Sequence, residues 1–340
     1  RPDGRSMKPR LYLHIGHSKV ASSSIQAFLD ANIAAIRAKA GLVADLEFRF
    51  PTTGPIKANP VGALQRMCDT GPEGKALLHQ RLHELHRALT APRSRFDHAI
   101  ISAENLCNPP FHTLFEPVRE LFDVHLVYYI RRQDEWLLSA WKQWGVKQGQ
   151  SVEAFCLQGT KTRYPAFTVA IQRWEPLVSG LHVRPLHASA LADGSVTADF
   201  AKAIGLTDQN LEHPGISNPS FDAAVLEVLS HNSYLFQHRD DDRVFDFLGA
   251  FLSKEHKPMR AVLEGAARLQ LCSYFEAENR ALQQRFFPDT DYDTIFGVEA
   301  SDAEQCKPAE KDLLMRFLGL QLRGIMDLSA RVQELEKRRK

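Results

Sequence analysis

The sequence predicts an α/β protein: a parallel sheet with helices on both faces, in three layers, followed by a helical C-terminal portion. Between residues 8 and 205, short apolar runs alternate with segments of helical periodicity, which is the pattern of consecutive βαβ units. From Pro219 onward almost every segment has helical spacing. We expect strands at 11–15, 98–105, 123–130 and 181–186, and a further short strand at 42–50.

Helices are expected wherever apolar residues recur every three to four positions. Residues 7–290 then form one α/β domain, of which 219–290 is mainly helical, and residues 291–340 form a C-terminal helical extension. Residues 1–6, which precede Met7, are interpreted as a vector-derived remnant. The predicted helices are 22–39, 73–89, 112–122, 134–147, 164–175, 219–232, 242–256, 258–286 and 308–338.

The composition indicates an ordinary globular protein whose binding sites are local. Its 340 residues include 42 Lys and Arg against 41 Asp and Glu, a net charge of +1, which gives no reason to expect nucleic acid as a partner. The five cysteines are scattered without a CxxC pair, so neither a disulfide framework nor a zinc cluster is expected. No apolar run is long enough to span a bilayer, and a cytoplasmic setting is the default expectation.

The stretch RLYLHIGHSKVASSSIQAFL, residues 10–29, predicts a strand, a tight turn and an amphipathic helix. A strand that enters a helix through small residues leaves backbone N–H groups free at the positive end of the helix, where anions bind. Lys19 and three serines, Ser22 to Ser24, add a charge and hydroxyls. The alternative for this stretch is a serine-capped helix with a solvated lysine.

A second polar group is expected at the end of the strand 123–130. Arg131 leaves that strand and Ser139 follows about two helical turns later, so both could reach one phosphate. The alternatives are an arginine paired with Asp134 or Glu135, and a serine that only packs. A third strand end carries Glu104. Two phosphate-type sites at strand ends suggest a ligand that is phosphorylated in two places.

These motifs resemble those of the sulfotransferases that use 3′-phosphoadenosine-5′-phosphosulfate (PAPS). HIGHSKVASSSIQ resembles their 5′-phosphosulfate loop, HxGxHKTGTTSIQ in many bacterial members, with Lys19 on the loop lysine and Ala21 on the glycine. YYIRRQDEWLLSAWKQ resembles their 3′-phosphate motif, in which Arg is followed eight residues later by Ser. The resemblance covers about residues 8–290 and places Arg131 and Ser139 on that motif.

The resemblance implies a P-loop-like sheet and the transfer of a sulfuryl group from PAPS to an acceptor hydroxyl, without a metal ion. Bacterial members of this type usually sulfate cell-surface saccharides or lipid-linked sugars, so a saccharide or glycolipid acceptor is expected, and a site at the periphery of the inner membrane would suit it. Arg131 and Ser139 would hold the 3′-phosphate. Lys19 would also stabilise the leaving phosphate, and the 5′-phosphosulfate would lie against Lys19, Val20, Ala21, Ser22, Ser23 and Ser24.

Glu104 is the expected catalytic base, because IISAEN is similar to the strand that ends in the catalytic base in that family. Burial at a strand end would raise the pKa of the carboxyl toward working pH. Glu104 could instead pair with Arg131 or Lys19 and only orient that side chain. Glu47 is a rival base, and His17 could contact substrate, although a lone histidine in a loop is more often solvated.

Two other function classes remain open from the sequence. A P-loop-type kinase or NTPase would need a GK[ST] ending and an acidic Mg²⁺ ligand, and here the lysine precedes the small residues. A non-catalytic nucleotide- or glycan-binding protein could use the same scaffold. Helix 308–338 could join copies into a homo-oligomer, although packing back on the domain is favoured.

Four aromatic residues could stack on a sugar or belong to the core: Trp136, Trp141, Trp144 and Tyr164.

Overall fold

A computed structural model describes residues 8–44, 61–206, 210–214, 221–251, 263–304 and 306–339. Within these residues, five strands form one all-parallel sheet flanked by helices, so the prediction of a mixed α/β fold with a parallel sheet is confirmed. The strand order is β2-β3-β1-β4-β5. The strands are β1 (Arg10–His14), β2 (Gly41–Ala44), β3 (His98–Ser102), β4 (Asp123–Ile130) and β5 (Gly180–Pro185).

The first strand of the chain, β1, lies in the middle of the sheet. It pairs in parallel with β3 on one side and β4 on the other, so that Leu13 faces Ile101 and Leu126. All three side chains are fully buried. Strands covered on both faces read as nearly continuous apolar runs, which is why these strands were recognisable in the sequence.

The helices follow the strands in the order that the alternating pattern predicts, and then continue without strands to the C terminus of the described chain. They are α1 (Ser22–Ala31), α2 (Ile33–Ala38), α3 (Val61–Asp69), α4 (Pro72–Thr90), α5 (Val118–Leu121), α6 (Gln133–Ala140), α7 (Val152–Thr162), α8 (Phe167–Trp174), α9 (Val196–Ala203), α10 (Ala223–His231), α11 (Arg243–Phe251), α12 (Gly265–Phe286), α13 (Tyr292–Phe296), α14 (Ala300–Ala303) and α15 (Glu310–Arg339).

The single helix predicted at 22–39 is wrong: it is two helices, α1 and α2, separated by Asn32. The amide Nδ2 of Asn32 donates to the carbonyl of Phe28 at 2.8 Å and to that of Glu212 at 2.7 Å. An asparagine that bonds to backbone groups competes with the helix ladder, and this ends α1 early. After α2, Ala40 takes the left-handed conformation (φ 61°) and Gly41 begins β2.

Other predicted helices differ in detail. Segment 112–122 is a 3₁₀ turn, Phe111–Phe115, followed by the short α5. Segment 134–147 is α6, then a π-helical turn at Trp141–Gly145 and a 3₁₀ turn at Val146–Gln148. Helices α3, α7 and α9 were not predicted. The end of the strand expected at 42–50 lies outside the described residues.

Contacts between residues divide the chain into two compact units. The first comprises residues 1–132, 166–216 and 278–295, and it contains the whole sheet. The second comprises residues 133–165, 217–277 and 296–340, and its described elements are helical. Within the second unit, Arg268 bridges Asp134 at 3.3 Å and Asp302 at 2.7 Å, and this buried guanidinium ties α6, α12 and α14 together.

A buried polar network in the first unit fixes α9 to the sheet. Asp199 of α9 accepts a hydrogen bond from Tyr129 Oη at 2.8 Å and one from the backbone N–H of Ala192 at 3.1 Å, and the guanidinium of Arg184 binds both of its carboxylate oxygens. The next residue, Phe200, is thereby held with its ring centroid 5.7 Å from that of His14 in β1. The network therefore supports the strand that leads into the candidate site.

The C-terminal helix α15 begins against the second unit, where it contacts α10 and α11. Leu313 and Leu320 are its buried apolar side chains, so packing back on the domain, which the sequence favours, describes the start of this helix. Among the described helices, none is both long and apolar enough to cross a membrane. All five cysteines are described, and none forms a disulfide.

Candidate functional site

The loop between β1 and α1, residues 15–21, leaves the carboxyl end of the central strand. Because all strands are parallel, their carboxyl ends share one edge of the sheet, and ligands of open α/β sheets bind at that edge. The two strands beside β1 in the sheet, β3 and β4, end at Ser102 and Ile130. The segments that follow these strands therefore start beside the loop.

The backbone of this loop takes a left-handed conformation at two residues immediately before α1. Lys19 and Ala21 both take the left-handed conformation, with φ of 64° and 65°. Ala21 is the N-cap residue, and among the described residues no side chain caps the helix. The alternative of a serine-capped helix is therefore wrong. The first N–H groups of α1 have no partner inside the helix, and such a nest at the positive end of a helix attracts an anion.

The loop leaves no room for a side chain at Gly16. A Cβ there would overlap Ser22 Oγ and approach His14 Cε1 to 2.9 Å. The Ser22 hydroxyl is buried and donates to the carbonyl of His17 at 3.3 Å, so it supports the loop from inside. Ser23 is exposed and Ser24 is half-buried. Of the three serines, these two therefore present hydroxyls that a ligand can reach.

The segment after β3 is bonded to this loop and places Glu104 beside Lys19. Ala103 N donates to the carbonyl of His14 at 3.0 Å, and Asn105 N donates to that of Gly16. Between these two attachments lies Glu104, whose carboxylate is close enough to Lys19 to feel its charge. The structure thus brings together two residues, 85 positions apart in sequence, that strand-end reasoning selected independently.

Burial raises the pKa of Glu104 above its ordinary 4.5, and the positive charge of Lys19 lowers it by a smaller amount. The direction agrees with the expectation from the sequence. A half-buried carboxyl of raised pKa accepts a proton more readily near neutral pH than an exposed one does. The pair of Lys19 and Glu104 therefore supplies a cation for an anionic group and a proton acceptor next to it.

The two histidines of this region are buried, and the expectation that His17 is solvated is wrong. His17 is 2% exposed, and its ring packs edge-on against Phe167, with centroids 5.7 Å apart. Burial lowers the pKa of His17 to about 4 and that of His14 to about 3, so both are neutral at physiological pH. The Nδ1 atom of His14 lies 2.8 Å from Ser102 Oγ. A neutral, enclosed His17 is a weaker candidate base than Glu104.

The remaining predicted residues are placed individually. Arg131 follows the last residue of β4 in the first unit and is partly exposed. Ser139 lies on α6 in the second unit and is also partly exposed. Their convergence on one phosphate stays a prediction. Glu47, the rival base, lies outside the described residues.

The aromatic residues near α6 divide into two pairs. Trp136 and Trp141 are each 1% exposed, so a sugar-stacking role is wrong for both and they belong to the core of the second unit. Trp144 and Tyr164 are partly exposed. The rings of Tyr164 and Trp136 pack in a T-shaped arrangement, with centroids 5.1 Å apart, so Tyr164 is in contact with the core.

Sequence reasoning missed the part that Asn105 plays. Asn105 has a φ of 64°, and this left-handed turn carries its N–H to Gly16 while Glu104 stays beside the loop. Asparagine is the residue, after glycine, that takes this conformation most readily. An asparagine that directly follows a strand-end carboxylate was the available signal.

A scan against models of protein families finds no match to this chain, and a search of curated proteins finds none. Among the described residues, no group of three or more His, Cys, Asp or Glu side chains is arranged to hold a metal ion. The functional interpretation therefore depends on the residues of the loop, their geometry and their charges.

Proposed function

We propose that this chain is a sulfotransferase that moves a sulfuryl group from PAPS to an acceptor hydroxyl on a saccharide or glycolipid. One observation carries the proposal: an uncapped, left-handed loop at the end of the central strand holds Lys19 beside the half-buried carboxylate of Glu104. A P-loop-like cradle of this kind suits a phosphate-type anion. The adjoining carboxylate suits a reaction in which the acceptor must lose a proton.

In this proposal the loop binds the 5′ end of the donor. The N–H groups of residues 20–24 and the hydroxyls of Ser23 and Ser24 donate to the oxygens of the 5′-phosphosulfate, and Lys19 neutralises charge on its bridging and phosphate oxygens. Val20 is buried and Ala21 is small, so neither side chain stands between the anion and the backbone. Ser22 holds the loop in shape.

The reaction is an in-line displacement at sulfur. The acceptor oxygen forms a bond to the sulfur atom, the bond from sulfur to the 5′-phosphate oxygen breaks, and the acceptor proton passes to Glu104. Negative charge then grows on the leaving phosphate, where Lys19 stabilises it. Positioning and electrostatic stabilisation supply most of the catalysis, as they do in phosphoryl transfer. The products are a sulfate ester and 3′,5′-diphosphoadenosine.

The 3′-phosphate of the donor is assigned to Arg131 and Ser139. Arg131 stands at the end of β4, the strand next to β1, and guanidinium groups bind phosphate oxygens in a bidentate manner. A hydroxyl donor from Ser139 would complete the contact. Selectivity for a nucleotide that carries this 3′-phosphate follows, because ATP has no group to place there. A cytoplasmic enzyme, peripheral to the inner membrane when its acceptor is lipid-linked, fits the proposal.

Binding of 3′,5′-diphosphoadenosine, measured by titration calorimetry, tests the donor site. The intact chain should bind it more tightly than Mg²⁺–ATP. Lys19→Ala should weaken binding by about 10- to 100-fold, which corresponds to the loss of one charge-assisted contact. Lys202→Ala, at an exposed lysine of α9, is the matched control and should leave the affinity unchanged.

A preference for Mg²⁺–ATP would point to the kinase alternative and would refute the proposal. If the intact chain and Lys19→Ala bound 3′,5′-diphosphoadenosine with equal affinity, Lys19 would not contact the nucleotide. Nucleotide binding without sulfuryl transfer to any acceptor hydroxyl would favour the non-catalytic alternative.

A further inference from the structure

The C-terminal helix α15 carries a long apolar stripe on its surface. Nine of its large apolar side chains are exposed, and Ile325 and Met326, in the middle, are 63% and 64% exposed. Scattered single apolar residues on a surface are normal, whereas a continuous stripe marks an interaction site. The nine are Leu314, Met315, Leu318, Leu322, Ile325, Met326, Leu328, Val332 and Leu335.

The second half of α15 has little to stabilise it in a single chain. Between residues 321 and 338 no side chain is buried, and almost all are exposed. An isolated helical segment of this length is marginal in water, and Gly324 weakens it further. A helix of this kind is stabilised when its apolar stripe is covered.

The stripe follows the heptad pattern of a two-stranded coiled coil. Its first three a positions hold Leu318, Ile325 and Val332, the fourth is Arg339 at the end of the helix, and its d positions hold leucine at three places of four. Branched Ile and Val at a together with Leu at d favour a parallel pair of helices. The pattern is sustained for about three heptads, which is the usual threshold for this interpretation. The d positions are Leu314, Gln321, Leu328 and Leu335.

We propose that two copies of this chain associate through residues 314–339 of α15 as a parallel, two-stranded coiled coil. Charge supports a second copy as the occupant of the stripe. Arg331 falls at a g position and Glu336 at the following e position. In a parallel pair in register, g of one helix faces the next e of its partner, so Arg331 meets Glu336 twice by symmetry. In an antiparallel pair, g faces g and e faces e, so Arg331 and Glu336 would not meet across the helices.

Attachment of α15 to its own unit leaves this stripe available. Leu313 and Leu320 are buried, and Arg316 binds Asp222 at 2.8 Å. At roughly 100° per residue, Leu320 lies about 140° around the helix from Ile325. The side that packs on the chain and the side that would meet a second copy are therefore different.

Sedimentation velocity on the full chain tests the proposal. We expect a mass of twice 38.4 kDa at micromolar concentration. Ile325→Lys should give a monomer, because it places two charges at the centre of the seam. Met326→Lys, a neighbouring residue of the same exposure at an outer heptad position, should leave the dimer intact. Circular dichroism confirms that both variants stay folded.

Charge exchange tests the parallel register. Arg331→Glu and Glu336→Arg should each raise the dimer dissociation constant by about fivefold, since each sets like charges across two symmetric contacts. The double variant restores both pairs and should recover the original value. In a Cys306→Ser background, Leu335→Cys should form an interchain disulfide, which an antiparallel pair would not.

Three results would overturn the proposal. The intact chain could be a monomer at 50 µM or a trimer or larger. Ile325→Lys and Met326→Lys could weaken association equally. Or the chain could sediment with vesicles of phosphatidylglycerol and phosphatidylethanolamine as a monomer, in which case lipid covers the stripe. Nucleotide affinity is measured in parallel and is expected to be the same in Ile325→Lys.

Discussion

Replacement of Asp199 with alanine should lower the free energy of unfolding by about 3–5 kcal/mol, because it leaves the guanidinium of Arg184 without its counter-ion in a poorly solvated place. The side chain of Asp199 is fully buried and accepts hydrogen bonds from Tyr129 Oη at 2.8 Å and Ala192 N at 3.1 Å. It also binds both ends of the guanidinium of Arg184, whose side chain is only 29% exposed. A loss of this size is a large part of the stability of a typical domain.

Urea unfolding, followed by circular dichroism, measures this loss. Asp123→Ala is the matched control on the same sheet, since Asp123 is 38% exposed, pairs with Arg10 at 3.7 Å, which is 51% exposed, and lies 3.3 Å from His125 Nε2. An exposed pair of this kind contributes less than about 1 kcal/mol. Burial and the charge of Asp199 also raise the pKa of Tyr129, so the phenol should titrate at lower pH in Asp199→Ala. This is read from its ultraviolet absorbance.

Equal destabilisation of the protein by Asp199→Ala and Asp123→Ala would refute this role of Asp199. The network would then not be what fastens α9 beneath the candidate site. Phe200, next to Asp199, packs against both His14 and Phe28, with centroids at 5.7 Å and 6.3 Å. A destabilised α9 should therefore also weaken binding of 3′,5′-diphosphoadenosine, although Asp199 does not belong to the loop.

Three further variants test the loop and its neighbours. Glu104→Gln should lower kcat by about 10²–10⁴-fold. The pKa of Glu104 in the folded protein lies above 4.5, so its charged form opposes folding. The variant should therefore be more stable than the intact chain above pH 4.5 and equally stable below it, as urea unfolding at several pH values will show. Gly16→Ala should abolish nucleotide binding in calorimetry, because its Cβ overlaps Ser22 Oγ; normal affinity would contradict this. The pKa of His17 falls from 6.5 to about 4 on folding, so stability present above pH 6.5 is lost as the pH falls toward 4. His17→Gln should therefore flatten the plot of unfolding free energy against pH between 6.5 and 4. An unchanged slope in the variant would contradict a neutral, buried His17.

The strands were the most predictable part of the fold. Strand β4 matches its predicted bounds, 123–130, and β5 differs by one residue at each end, 180–185 against 181–186. Strands in a parallel sheet are covered on both faces, and their side chains become an apolar run that the sequence shows directly. The all-parallel arrangement then follows from the helices between them.

Helix breaks were not predictable in the same way. Asn32 ends α1 because its side chain bonds to the backbone of Glu212, a residue 180 positions away in sequence. The π-helical turn at Trp141–Gly145 accompanies a hydrogen bond from the Trp141 indole to the carbonyl of Gln150 at 2.8 Å. Apolar periodicity reports which face of a helix is buried and contains nothing about such contacts.

In the candidate site, too, the residues that carry chemistry were predictable and their distant contacts were not. Strand-end position and local spacing selected Lys19 and Glu104, and in the structure they are close enough for the charge of Lys19 to lower the pKa of Glu104. The burial of His17 depends on Phe167, which lies 150 positions further along the chain, and the partner of Asp199 is Tyr129 in a strand 70 positions earlier. Single-sequence reasoning identifies groups that carry chemistry, and it cannot assign the neighbours that bury them.

The most direct measurement of the central claim is sulfuryl transfer itself. The chain is incubated with PAPS carrying labelled sulfur and with saccharide and glycolipid acceptors, and mass spectrometry follows both products. The account predicts an acceptor heavier by one sulfuryl group and one equivalent of 3′,5′-diphosphoadenosine for each transfer, with both signals lost in Lys19→Ala and nearly lost in Glu104→Gln. A chain that leaves PAPS intact while it phosphorylates the same acceptors from ATP would contradict the account.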